Sequence, residues 1–411
     1  MENKKKYSFE TYAVTGARKG DAGTGAISYP LYLSATFKHE GLNQSTGYDY
    51  TRLQNPTREE VEKTIALLEN GREALAFSCG MAALTACVHL FKPEDHVILS
   101  EDLYGGTFRL FDEVYSVYNI ESSFVDTSDI NKVKDAIRKN TKGIVIETPS
   151  NPLMRVTDIK EITDICKEKD IISIVDNTFL TPYYQKPLEL GADIVIHSAT
   201  KYLGGHNDLL AGFAIANDKK IIEKLRFMQK STGAILSPFD SWLLLRGIKT
   251  LHIRMDRIQE NALKIAKWLE ANKNIEKVYY VGLNTHQGYY VNKEQSTGFG
   301  GMISFRVKDK KYVEDLLSNL KVISFAESLG GVESLITYPF TQTHSEIPEE
   351  IKNRLGVDEY LMRLSVGIEN VNDLINDLKS VKSLFAQHAI ACVLCELLLF
   401  GIVYRVFPTR K

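Results

Sequence analysis

Short apolar runs alternate with longer stretches of helical spacing through the middle of the chain. The runs are Ala74 to Phe77, Val97 to Leu99, Gly143 to Ile146, Ile171 to Val175 and Ile194 to Ile196. A parallel connection needs a crossover, usually a helix, and that helix then buries the sheet, so this alternation predicts a mainly parallel sheet covered on both faces. The pattern changes near Thr250. The charged stretch Leu251 to Asn272 carries Ile258, Leu263, Ile265, Trp268 and Leu269 at helical spacing, which predicts an amphipathic helix. Gly301 to Phe305 and Lys321 to Phe325 then read as strands, Leu361 to Gly367 as an apolar strand interrupted by Arg363, and Val371 to Leu384 as a closing helix. The first fifty residues are rich in Gly, Ser, Thr and Tyr with little periodicity. They read as an extended arm that needs another surface to pack on. The expectation is an α/β protein in four segments: an arm (1–53), a large domain (54–250), a smaller C-terminal α/β domain (251–384) and a hydrophobic tail (385–411).

Length agrees, since 411 residues at about 150 per domain make two or three domains. With 50 Lys and Arg against 52 Asp and Glu the net charge is −2. No basic footprint is present, so nucleic acid is not an expected partner. Cys79, Cys87, Cys166, Cys392 and Cys395 are scattered and odd in number, the usage of a reducing cytoplasm. Met1 to Glu10 has positive charge with no apolar stretch behind it, so it is not a secretory signal. In the tail, Ile390 to Phe407 is strongly apolar but contains Glu396 and Arg405. A span needs about 20 predominantly apolar residues and tolerates central charge poorly, so no membrane partner is expected. Cys392 and Cys395 lack a second ligand pair for zinc, and no metal is expected. Two readings of the tail stay open: a subunit-contact helix and a reading-frame extension.

Candidate chemistry gathers where strands end. The strand at Ile194 runs into Ser198, Thr200 and Lys201 and then the pair Gly204 and Gly205. Ligands of open α/β sheets sit at strand carboxyl ends, and a lysine beside two hydroxyls suits a phosphorylated cofactor held covalently. On its own, a loop lysine is as readily a solvated one. The strand Ile171 to Val175 leads into Asp176, 25 residues before Lys201, and a carboxylate there can keep a pyridine nitrogen protonated or simply cap a helix. Ser78, Cys79, Gly80 and Met81 turn a strand into an apolar helix whose free amides suit an anion. Tyr104, before Gly105 and Gly106, can stack on a planar cofactor or sit in a turn. Tyr50 and Arg52 lie in the arm, the arginine fit for a phosphate. Arg363, inside an apolar strand, needs an anion such as an amino-acid carboxylate or a structural ion pair.

Taken together these stretches resemble the trans-sulfuration family of pyridoxal-phosphate enzymes, the cystathionine synthases and lyases, methionine γ-lyases and O-acylhomoserine sulfhydrylases. The matches run in order from about Gly25 to Leu384: Tyr50 to Arg52 with Asn55 to Thr57, Ser78 to Met81, Leu103 to Thr107, Glu147 to Pro152, Val175 to Thr178, His197 to Gly205, Ala326 to Leu335 and Arg363 to Glu369. The resemblance implies a fold-type I transferase with a large, mainly parallel sheet of the seven-stranded type and a smaller C-terminal α/β domain. It implies pyridoxal 5′-phosphate as cofactor, with Lys201 the Schiff-base lysine, Asp176 the partner of the ring nitrogen and Tyr104 stacked on the ring. Gly80, Met81, Ser198 and Thr200 are implied as phosphate ligands, completed by Tyr50 and Arg52 from a neighbouring subunit of a homotetramer of catalytic dimers. Asn151 is implied beside the cofactor hydroxyl and the substrate, with Arg363 and Ser328 on the substrate carboxylate and Glu327 on an incoming amino group.

The branch is harder to read. Methionine γ-lyases typically carry a cysteine where this chain has Gly106 and usually lack an acid where it has Glu327, so the resemblance points away from them. Ser324 to Pro339, Thr341 to His344 and Gly233 to Gly247 look most like bacterial cystathionine γ-synthases, some of which are also O-acetylhomoserine sulfhydrylases. The expected reaction is γ-replacement on an O-acylhomoserine in methionine biosynthesis: Lys201 removes the Cα proton, the acyl group leaves Cγ, and cysteine thiolate adds to give cystathionine, with Tyr104 as proton shuttle. Elimination from cystathionine or homocysteine uses the same residues and is the alternative. A silent binding protein of the same fold is the third reading, disfavoured because every expected catalytic position is filled.

Overall fold

The computed structural model describes residues 7–379, apart from 18, 19, 22, 345 and 346. Seven strands form the larger sheet: β1 (Glu73–Phe77), β2 (His96–Ser100), β3 (Glu121–Val125), β4 (Thr141–Glu147), β5 (Ile172–Asp176), β6 (Ile194–Ser198) and β7 (Gly212–Ala216). Their spatial order is β1-β7-β6-β5-β4-β2-β3. Only β7 runs against its neighbours β1 and β6, and the remaining pairings are parallel. The first six strands therefore point the same way and present their carboxyl ends along one edge.

All five runs expected as strands lie in this sheet, and both faces are covered. Ile144, Ile146, Val175 and Val195 pack with Val61, Ile65 and Leu68 of one helix, while Val145, Ile174, Ile194 and Ile196 pack with Leu84 and Val88 of another. Alternate residues of each strand thus enter opposite cores. The first helix is Pro56–Glu69. It starts where Asn55 accepts the N–H of Thr57 at 2.9 Å, ahead of a proline at its first position, a strong start signal. Two further strands complete the sheet: β3 is a half-exposed edge, and β7, an apolar and fully buried run, follows the loop after Lys201 without a helix between, so no alternation of strand and helix marks it.

A second sheet of β8 (Ile275–Tyr279), β9 (Met302–Val307), β10 (Ser324–Phe325), β11 (Leu335–Thr337) and β12 (Leu361–Ser365) has the order β10-β11-β12-β9-β8. The helix Leu251–Glu270 packs on it through Ala262, Ile265 and Leu269, against Ile303, Phe305, Met362 and Leu364. The strand expected over Lys321 to Phe325 shrinks to two residues. The amides of Lys321, Val322 and Ile323 donate instead to the Asp377 carboxylate at 2.8, 2.9 and 2.8 Å, so they cannot join a ladder. The arm also departs from expectation, since Phe9–Thr15 is helical. Ala13 is buried there and the Phe9 ring lies 5.1 Å from that of Tyr183, so tertiary contact supplies what periodicity did not announce. The closing helix is Val371–Leu378; its expected continuation to Leu384 and the tail with Cys392 and Cys395 lie outside the described residues. No helix among the described residues is long and apolar enough to cross a membrane.

Candidate active site

A cavity of about 460 Å³ opens at the carboxyl edge of the larger sheet and is lined from the other side by the second domain. Five strands deliver its floor. After β1, Cys79 leads into a helix, Gly80–Val88, whose first residues Gly80 and Met81 face the cavity. A Cβ at Gly80 would lie 2.8 Å from the Ser198 Cβ, so only glycine lets this helix start so close to the end of β6. After β2 comes Tyr104, 43% exposed, ahead of a short helix, Gly105–Arg109. The ends of β4, β5 and β6 bring Glu147 and Asn151, Asp176 and Thr178, and Ser198, Thr200 and Lys201. The second domain adds Glu327, Ser328 and Arg363.

Every residue expected at the cofactor or substrate site lines this one cavity, apart from Tyr50 and Arg52. Those two stand together elsewhere, the Arg52 guanidinium 5.6 Å from the Tyr50 ring and bonded to the Lys230 carbonyl at 2.7 Å. The Thr200 hydroxyl is already engaged, accepting the Ala211 N–H at 3.1 Å.

The charges are arranged around Lys201. Its Nζ donates to the Ser328 hydroxyl at 2.9 Å. Burial, then the Arg363 charge, push its pKa down to about 8, against a pull from Glu327, so an appreciable fraction is the neutral amine that can act as a base. Arg363 is only 2% exposed. It donates to the Asn151 side-chain oxygen at 2.8 Å and to the Ser328 carbonyl at 3.1 Å, and its Nε has no hydrogen-bond partner among the described residues. Burial pushes it down to about 10. A buried guanidinium without a carboxylate partner is a site for an anion. Asp176 accepts both the N–H and the hydroxyl of Thr178, at 2.9 and 2.5 Å. Burial raises its pKa, while the Thr178 bonds and His197 oppose the rise. The Thr178 hydroxyl also accepts the Ser198 N–H at 2.8 Å, tying the carboxylate to the loop that carries Lys201.

Several members of the site had no separate signal in the chain. Thr178 and Glu147 were visible only inside matched stretches, because their roles depend on which strands are neighbours. Thr343 reaches the cavity from a loop of the second domain, anchored by the buried His344, whose ring meets the Asn151 carbonyl at 3.2 Å.

Pyridoxal phosphate fits this donor set. The cavity holds a carboxylate fixed by two bonds, a lysine with a depressed pKa, an aromatic ring, and helix-start amides beside a serine hydroxyl for a phosphate. The size lies within the usual range of cofactor sites, about 300–1,000 Å³.

Comparison with known proteins agrees with the geometry. The family model described as Cys/Met metabolism PLP-dependent enzyme matches residues 10–382. A cystathionine beta-lyase of Lactococcus lactis subsp. cremoris (strain MG1363) is 50% identical over 372 residues, covering 90% of this chain and 98% of the relative. The cystathionine gamma-synthase/O-acetylhomoserine (thiol)-lyase of Bacillus subtilis (strain 168) is also 50% identical, over 370 residues, covering 90% and 95%. The crystal structure of cystathionine gamma-lyase from Lactobacillus plantarum complexed with L-serine superposes with a TM-score of 0.89 at 43% identity, covering 91% of this chain and 98% of that one. With that extent of match around a cavity suited to the same cofactor, the chain belongs to the pyridoxal-phosphate-dependent Cys/Met metabolism family of trans-sulfuration enzymes.

Proposed function

We propose that the chain breaks the thioether of cystathionine by elimination, with Lys201 as the base. The observation that carries this reading is a pair of hooks lining the same cavity as Lys201: the buried Arg363 guanidinium, which has no carboxylate partner among the described residues, and the exposed Glu327 carboxylate. A thioether with an amino-acid carboxylate at one end and an ammonium at the other matches both. Relatives named as lyases support the direction. In this reading Arg363, Asn151 and Ser328 orient the substrate carboxylate, and Glu327 receives the distal ammonium. Bound pyridoxal phosphate supplies the electron sink for charge at the substrate Cα. Lys201 Nζ takes the Cα proton, and the Tyr104 hydroxyl gives a proton to the departing sulfur. Asp176 serves the ring nitrogen, and Gly80, Met81, Ser198 and Thr200 serve the phosphate. We assign Tyr50 and Arg52 to the phosphate site of a neighbouring subunit in a homotetramer, with the arm (1–53), large domain (54–250) and small domain (251–384) as its parts. The exposure of Ile27 and Leu42, 90% and 91%, supports an arm that packs on another chain.

The second reading is γ-replacement on an O-acylhomoserine by cysteine, favoured by the Bacillus subtilis relative of equal identity named as a synthase. One experiment separates the two. Cofactor-loaded protein is given cystathionine alone, and in parallel O-acetyl- or O-succinylhomoserine with cysteine, and the products are identified by mass spectrometry. Pyruvate with homocysteine marks β-elimination and 2-oxobutyrate with cysteine marks γ-elimination. Cystathionine made from the acyl donors, with none consumed in the first arm, replaces elimination with the second reading.

A further inference from the structure

Three carboxyls crowd the carboxyl edge of the larger sheet. Glu147 ends β4 in register with Asp176 of β5, and Asp102, 3% exposed, follows β2. Among the described residues no salt bridge reaches any of them. Each is provisioned differently. Asp176 takes two bonds from Thr178. Asp102 takes the Ser150 hydroxyl and the Leu153 N–H, the latter at 3.2 Å. Glu147 accepts the backbone N–H of Tyr104 at 3.0 Å. Tyr104 immediately precedes the short helix Gly105–Arg109, and its ring lies so close over Gly106 that a Cβ there would stand 2.5 Å from it. The place of the ring is therefore set by the backbone at Tyr104, and Glu147 grips that backbone.

We propose that Glu147 is a positioning residue for Tyr104: its carboxyl, at the cavity wall, fixes the Tyr104 N–H and so holds the aromatic ring at the cofactor. This rests on the reading of Tyr104 as the ring that stacks on the cofactor. Burial, then the Asp176 carboxylate, hold the Glu147 carboxyl well above the usual range, against the Tyr104 N–H; Asp102 adds to the rise and Arg363 opposes it. Asp176, with two donors, is better placed to keep the negative charge. Glu147 then works as a neutral acid, its carbonyl oxygen accepting the Tyr104 N–H.

Visible circular dichroism of the holoenzyme tests this without substrate, so its result is independent of the direction of the reaction. The band of the bound cofactor reports how the ring is held. Glu147→Ala removes the acceptor and is expected to shrink the band and weaken cofactor binding by about fivefold, the loss of one hydrogen bond. Glu147→Gln keeps a carbonyl acceptor without charge and is expected to restore the band. Equal damage in both variants overturns the proposal, as does a wild-type band in Glu147→Ala. If Glu147→Ala does not fold, Glu147→Leu fills the volume without an acceptor and is read the same way. A second measurement checks the route: Glu147→Ala and Tyr104→Ala together are expected to cost no more cofactor affinity than Tyr104→Ala alone, and additive losses refute action through Tyr104.

Discussion

At the scale of single residues the site works by denying water to charges. Lys201 is pushed down to about 8 by burial and Arg363, so it can serve as a base near neutral pH where a solvated lysine cannot. Lys201→Ala is expected to lower kcat by about 10²–10⁴-fold or more while cofactor is still bound; turnover like that of the wild type removes Lys201 from its role. His344 shows the same physics in stability. Burial, followed by the Arg363 charge, pushes it down to about 4 from an ordinary value near 6.5. Between those values the unfolded chain binds a proton that the folded one refuses, so stability is full above about pH 6.5 and falls as pH drops toward 4. The contribution lost is on the order of 3 kcal/mol. Denaturant titrations at pH 7 and pH 4.5 check it: the fall is expected to be smaller in His344→Gln, and an equal fall shows that another group carries it.

Elements are joined by a few polar side chains that substitute for missing ladders. Asp377, on the helix Val371–Leu378, holds three successive amides from Lys321 to Ile323, pinning the start of β10. Asp377→Asn keeps one acceptor oxygen and is expected to destabilise the protein by about 2–4 kcal/mol, since bonds to a charged group contribute about 1.5–3 kcal/mol each; urea unfolding measures it. The helix start at Gly80 is the counterpart at the cavity. Gly80→Ala forces its Cβ against Ser198 and is expected to loosen cofactor binding more than it lowers stability, which titration of cofactor-free protein reads directly. The runs behind β1, β2, β4, β5 and β6 were legible because strands buried on both faces need continuous apolar residues. β3 was not, since a half-exposed edge leaves no such run, and β7, though apolar and buried, follows β6 without a crossover helix and so falls outside the alternation of strand and helix.

The whole molecule adds what one cavity lacks. Tyr50 and Arg52 do not line the cavity of their own chain, and their assignment to a neighbour makes a sharp test. Lys201→Ala and Arg52→Ala chains, each weakly active alone, are expected to recover about a quarter of wild-type activity when refolded as a mixture, because mixed dimers rebuild one intact site. No recovery means that Arg52 serves its own chain or none. By itself the sequence determined the family, the sheet that carries the site, the cofactor and the residues that converge on it. Those features are written locally, in apolar period, in glycines at turns and in reactive side chains at strand ends. Only the tertiary structure decided that Glu147 stands beside Asp176, that Asp377 replaces a strand, and that Arg363 is buried with no carboxylate partner among the described residues. Each depends on which strands become neighbours and on how completely water is removed, and neither quantity is encoded within any one segment.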